Sequence, residues 1–148
     1  MTERPKPETR ASFPHFRMIT TRWMDNDVYR HINNVTYYSF FDTAVCQYLI
    51  ESGYLDIDKS PVIGLVVETT CRYFQSIAFP STIHAGVRVG HEGNSSIRYE
   101  IGLFKDEEDV ASAQGHFVHV YVDRMTNKPV PLPEALKAAI APLKLQKV

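Results

Sequence analysis

Cysteine is scarce in this chain, with two in 148 residues, and tryptophan appears once. Cys46 and Cys71 stand far apart in no metal-type spacing, which argues against a disulfide scaffold or a clustered metal site and suits a reducing cytoplasm. An excess of charge is lacking too. Sixteen Lys and Arg residues against seventeen Asp and Glu leave a formal net charge of −1, so no overall field draws the protein to nucleic acid or to an anionic membrane. No hydrophobic run approaches the length of a membrane span, and the charged, proline-bearing stretch from Met1 to Arg10 has no signal-peptide core. What remains is a chain with 44% hydrophobic residues, enough for one folded domain. We expect residues 1–12 to form a flexible tail, 13–142 a single domain and 143–148 a C-terminal tail.

The pattern inside that domain changes period once. Val35, Tyr38, Phe41, Val45, Tyr48 and Leu49 recur at helical spacing, and Tyr37, Phe40 and Ala44 widen the stripe almost all round. Gly53 supplies a C-terminal stop, so the spacing predicts a largely enclosed helix over 34–52. After Pro61 the period becomes two. Ile63, Leu65, Val67, Cys71 and Tyr73 share one face of a long strand, with Glu68, Thr70 and Arg72 on the other. Ile83, Ala85, Val87 and Val89, then Ile97, Tyr99, Ile101 and Leu103, alternate with polar residues on either side of Glu92-Gly93-Asn94, which predicts a hairpin. Adding a strand near 16–23, a last one over 110–122 and a short helix opened by Pro133 gives an α+β domain whose antiparallel sheet curls about one long central helix.

Just before the helix stands Arg22-Trp23-Met24-Asp25-Asn26-Asp27-Val28-Tyr29-Arg30-His31-Ile32-Asn33-Asn34. A carboxylate ahead of a helix N-terminus lies beside unpaired backbone N–H groups, an arrangement suited to attacking a carbonyl and holding the oxyanion. Asp27 either does this or merely accepts loop N–H bonds, and Asp25 reads as a brace. His31 is a proton-transfer candidate or a satisfied structural histidine. Asn33 and Asn34 read first as helix caps, a role compatible with an oxyanion hole built from backbone N–H.

The strand ending in Arg-Trp-x-Asp-x-Asp, the His-x-Asn-Asn step, the aromatic-rich helix, the four following strands and the exit Val122-Asp123-Arg124-Met125-Thr126-Asn127-Lys128-Pro129-Val130-Pro131-Leu132-Pro133 together resemble the 4-hydroxybenzoyl-CoA thioesterase-like group of hotdog-fold proteins, over about residues 14–135. The resemblance implies a single hotdog fold, a homodimer or homotetramer, and hydrolysis of an acyl-CoA thioester with no metal or redox cofactor. By position it makes Asp27 the catalytic carboxylate and the first helical turn at Asn34 the polarising N–H, with His31 beside them. It marks Val67, Glu68 and Thr69 on the long strand, and Ser95 and Ser96 after the hairpin, as candidates to meet substrate. The chain departs from the pattern at Arg30, where the family commonly has glycine, and in the hairpin His91-Glu92-Gly93-Asn94, where some relatives place basic residues for the CoA phosphates.

Two other functions fit the same residues. Asp27 and His31 form an acid–histidine pair of the kind an enoyl-CoA hydratase or dehydratase uses, although the spacing argues against it, and an acyl-CoA or acyl carrier protein binding module would need no turnover at all. Arg72, Arg88 and Arg98 stand on polar strand faces as candidates for CoA phosphates or as ordinary exposed charges. Glu68 is an alternative base or an ordinary exposed carboxylate, and Asp42 borders the helix's polar line. Both cysteines read as core rather than as nucleophiles.

Overall fold

The computed structural model describes residues 5–144. Five strands, β1 (His15–Thr20), β2 (Val62–Tyr73), β3 (Thr82–Glu92), β4 (Ser96–Lys105) and β5 (Ala113–Asp123), form one antiparallel sheet in the order β1-β3-β4-β5-β2. Helix α1 (Thr36–Glu51) follows β1, and α2 (Glu134–Ile140) closes the chain behind Pro133. This is the expected strand, helix, four-strand order, consistent with a hotdog domain.

The alternation predicted for the hairpin is the one observed. Ile83, Ala85, Val87, Ile97, Tyr99, Ile101 and Leu103 are all buried on the sheet's inner face, where α1 contributes Tyr37, Phe40, Phe41, Ala44, Val45 and Leu49. A Cβ on Gly115 of β5 would collide with the Thr70 C=O of β2 and stand 2.6 Å from the Phe41 ring, so the bare backbone there admits both the neighbouring strand and α1. The helix is sixteen residues long and only half enclosed: Ser39, Asp42, Thr43, Gln47 and Ile50 are not buried, because the sheet covers one side of it. Its end is as read, with Gly53 at φ 87 and its N–H donating to Ile50 C=O at 3.0 Å.

Strand β2 departs from the expected pattern. Its pairing with β5 slips between Val66 and Glu68, so Val67 is an extra, unpaired residue. The bulge swaps faces halfway along: Ile63 and Leu65 lie on the opposite side from Cys71 and Tyr73, and Gly64 and Val66 join those two on the inner side. A strict period of two cannot survive an inserted residue.

The N-terminal segment is a second correction. Residues 5–12 are bonded across the outer face rather than trailing free. Glu8 takes Arg88 at 2.8 Å and Gln114 at 2.7 Å. Arg10 donates to Glu108 C=O at 2.8 Å and Asp106 C=O at 2.6 Å. Phe13 is buried against Phe104, over Gly86 and Gly102, with the Arg88 guanidinium 4.6 Å from its ring centre. At the other end Leu143 is fully buried and Lys144 pairs with Glu92 at 2.8 Å, so the packed unit continues into the expected C-terminal tail. The remainder of both expected tails, 1–4 and 145–148, lies outside the described residues.

Removing the Phe13 ring leaves a void between two glycines and Phe104. Phe13→Ala is expected to cost about 3 kcal/mol, measured by urea unfolding; an unchanged midpoint would show that the segment contributes nothing to the fold.

Candidate active site

The residues singled out between β1 and α1 form a hydrogen-bonded loop. Asn26 and Ile32 pair as an isolated antiparallel bridge, and between them Asp27 N–H donates to His31 C=O at 2.8 Å and Arg30 N–H to Asp27 C=O at 3.0 Å. The turn closes because Arg30 adopts φ 67, the left-handed region where glycine is at ease and a side chain is strained. Arg30 therefore meets the backbone demand that a glycine there would satisfy freely.

Asp25 anchors the loop. Only 4% exposed, its carboxylate accepts Arg22 N–H at 2.8 Å and the Arg22 guanidinium at 2.9 and 3.2 Å, while its C=O accepts Asn33 N–H at 2.9 Å. Asn26 ties the loop to the β2–β3 connection through Phe79 N–H at 3.1 Å. Asn33 forms a turn ahead of the helix rather than its cap: its side-chain oxygen accepts Val35 N–H at 3.0 Å and its C=O accepts Thr36 N–H at 2.9 Å, while Val35, at the cap position, makes no side-chain cap bond.

Asp27 is half-buried. One carboxylate oxygen accepts Tyr29 N–H at 2.9 Å; the other has no hydrogen-bond partner among the described residues. It lines a cavity of about 350 Å³ with Trp23, Met24, Asn26, Val28 and Arg30. Trp23, Met24, Tyr29 and Val28, the last 90% exposed, make an apolar rim around an acid. Asn34 lines a separate cavity of about 240 Å³ with Ile32, Tyr37, Tyr73 and Gln75. Its C=O accepts the Tyr73 hydroxyl at 2.7 Å, and its N–H has no partner among the described residues. Tyr37 stacks on Tyr73 with ring centres 4.8 Å apart, and burial raises both hydroxyls above their usual range.

The fold brings Asp27, His31 and Asn34 to one end of the sheet but not into one cavity. His31 is exposed, and its tie to Asp27 is through the backbone. Val67, at the bulge, and Thr69, whose hydroxyl donates to His116 C=O at 3.4 Å, are exposed on the edge strand. Glu68 is exposed with Val118 on the outer face, 3.8 Å from His116. Ser95 and Ser96 sit at the far end of β4, where their C=O groups accept Tyr121 N–H at 2.7 Å and Gly93 N–H at 2.8 Å. Ten strand residues, about 30 Å, separate them from the loop end.

Arg88 is committed to Glu8 and Glu100 and Arg98 to Glu100, which leaves Arg72 without an ion pair among the described residues. Burial pushes the Cys71 thiol up to about 11 and raises Cys46 as well, so neither is a thiolate at neutral pH. Among the described residues no group of three or more His, Cys, Asp or Glu side chains is placed to hold a metal ion, and no helix is long and apolar enough to cross a membrane.

Sequence reasoning passed over a third cavity, of about 310 Å³ between α1 and the first half of β2, floored by His119 and Tyr121. The signal was present, because alternation along β5 puts His119 and Tyr121 on the same face as Phe117.

Replacing Arg30 by glycine removes the left-handed strain at the cost of a more flexible unfolded chain. Arg30→Gly is expected to raise stability by roughly 0.5–1 kcal/mol, read from the urea midpoint; a loss would mean that the arginine side chain contributes more than its backbone costs.

A model of the thioesterase-like superfamily matches residues 21–140, a span that holds the loop, both helices and four of the five strands. The structure of the PA5185 protein from Pseudomonas aeruginosa PAO1 superimposes with a TM-score of 0.91 at 53% identity, over 95% of this chain and 97% of that one. PA2801, described as a putative thioesterase from the same species, gives 0.79 at 27% identity over 87% and 99%. A thioesterase from Thermus thermophilus, complexed with coenzyme A and Zn, gives 0.74 at 27% identity over 88% and 95%. The loop that holds Asp27 and four of the five strands of the sheet thus lie within one matched family unit, and this chain belongs to the thioesterase-like superfamily.

Proposed function

We propose that this protein hydrolyses an acyl-CoA thioester to the free acid and CoA. The observation that carries the reading is the loop: one hydrogen-bonded unit holds the Asp27 carboxylate and the opening turn of α1 at the same end of the sheet, in a chain of the thioesterase-like superfamily. Asp27 has one oxygen fixed by Tyr29 N–H and one free of protein partners among the described residues, which suits it to deprotonate water or to attack the thioester carbonyl itself. The unpartnered N–H of Asn34 is the donor for the developing oxyanion. The exposed apolar rim of Trp23, Met24 and Val28 offers an uncharged thioester an apolar surface to lie on.

The working unit in this reading is a dimer. The outer edge of β2 carries Val66, 51% exposed, and Val67, 61% exposed, in a twelve-residue strand with no neighbour on that side among the described residues. A long apolar edge of this kind is a template for another strand. Antiparallel pairing of two copies about Glu68 would set the Val62–Val66 half of each beside the Tyr73 end of the other, so that the cavities at Asn34 and at His119 face each other across the seam. That arrangement gives the Asn34 and His119 cavities a common space.

The test is release of free thiol from a panel of acyl-CoA esters. The protein should turn over some member of the panel, and Asp27→Asn should lower kcat by at least about 100-fold with an unchanged circular dichroism spectrum. A retained rate in the folded variant removes Asp27 from the mechanism; loss of enoyl absorbance from crotonyl-CoA without free thiol would replace hydrolysis by hydration.

A further inference from the structure

The cavity between α1 and β2 is walled by Leu49, Leu55, Ile57, Val62 and Val66, with Tyr54, Asp42 and Arg124 also in its lining, and two polar aromatic residues of β5, His119 and Tyr121, line it as well. A core of this kind ordinarily carries aliphatic side chains at such positions, because an imidazole and a phenol both lose hydration on burial. The sequence makes room for the histidine: a Cβ on Gly64 of β2 would lie 2.6 Å from His119 Nδ1.

The polar atoms form a chain with a direction. The Tyr99 and Tyr121 hydroxyls are 2.7 Å apart, and the Tyr121 hydroxyl is 3.4 Å from His119 Nδ1. Tyr99 is completely buried, so its hydroxyl hydrogen needs an acceptor, and Tyr121 is the acceptor within reach. Tyr121 then donates to Nδ1, which leaves the proton of the neutral ring on Nε2. Burial holds His119 neutral, pushing it down to about 4. Nε2 is not among the fully enclosed, unpartnered polar atoms of the described residues, in keeping with a ring that lines the cavity.

The walls are fixed in advance. Arg124 donates to Ser60 C=O at 2.7 Å and to Ile57 C=O at 2.6 Å, holding the 55–60 connection over the opening. A prebuilt, mainly apolar cavity of about 310 Å³ with a few polar groups, here His119, Tyr121, Tyr54, Asp42 and Arg124, is the usual form of a small-molecule pocket, at the small end of the range.

We infer that this cavity binds the acyl group of the substrate and that His119, through Nε2–H, selects a compact acyl group bearing an uncharged acceptor oxygen, a carbonyl or a hydroxyl, at its far end. The inference rests on the thioesterase reading for the word acyl; the pocket itself does not. His119 is a specificity residue here and takes no part in bond breaking.

Two measurements separate these claims. The first needs no activity: cyclohexanone and methylcyclohexane are titrated into the protein while the methyl resonances of Leu55, Val62 and Val66 are followed by NMR. His119→Phe should lower the affinity for cyclohexanone relative to methylcyclohexane by about tenfold. An unchanged ratio, or no shift of those methyls with cyclohexanone in the native protein, overturns the proposal, the second even if the variant fails to fold. The second compares kcat/KM for two acyl-CoA esters that differ by one hydroxyl at the far end of the acyl group, where His119→Phe should lower the ratio about tenfold; an unchanged ratio overturns the acyl assignment. Cyclohexanone binding in a protein that releases no CoA from any ester would sink the thioesterase reading and its acyl assignment, and leave the pocket standing.

Discussion

Phe41 lying against the bare backbone of Gly115 is the contact on which the rest depends. It brings α1 down onto β5, so that Tyr37, Ala44 and Val45 close over the inner sides of β3 and β4 and one hydrophobic core joins helix to sheet. With α1 fixed, its first turn must meet the end of β1 within the span 21–35. That span cannot be a slack connection, because Asp25 and Asn33 bond to each other across it and Asn26 bonds to the next loop. The position of Asp27 relative to Asn34 is thus inherited from how the helix packs.

The two faces of the sheet have been put to different uses. The inner face holds the core and, near the edge, the row Phe117, His119 and Tyr121, whose successive ring centres lie 4.8 and 5.7 Å apart along β5. The outer face is covered by residues 5–14, pinned by Glu8, Arg10 and Phe13. Charges that looked available to a ligand are spent there: Arg88 and Arg98 share Glu100, whose carboxyl, although raised by burial, is held below its usual range by the two guanidiniums. Of the three outer-face arginines on β2, β3 and β4, Arg72 alone is left without an ion pair among the described residues.

Much of this is legible in the sequence. Alternation along 83–89 and 97–103 named the inner residues correctly because both strands are paired along their length and a buried face tolerates no polar intruder. The stop at Gly53 and the start after Pro133 were equally local, set by one or two residues' own dihedral preferences. The alternation expected for β2 holds beyond its bulge, at Cys71 and Tyr73, and fails ahead of it, at Ile63 and Leu65, since Val67 is skipped by the pairing with β5 and nothing in the residue itself announces that. The N-terminal segment was misread for a related reason: Glu8 and Arg10 find side-chain partners between 74 and 106 residues away, too far for any periodicity to register.

The candidate site divides along the same line. The sequence by itself determined that an acid-bearing loop turns into the helix at 25–35, because an acid and two asparagines before a helix have local consequences, namely a turn and free N–H groups. It also marked Arg30 as unusual, and the backbone explains why, with φ 67 at a position that favours glycine. Tertiary structure alone decided the rest. Ser95 and Ser96 fall at the opposite end of the sheet from Asp27, and Asp27 and Asn34 open into different cavities. His119, Tyr121 and Tyr99 become a directed chain beneath a third cavity only because two strands and a glycine converge on them. Such convergence depends on strand register and helix packing summed over the whole domain, and no window of sequence contains that sum.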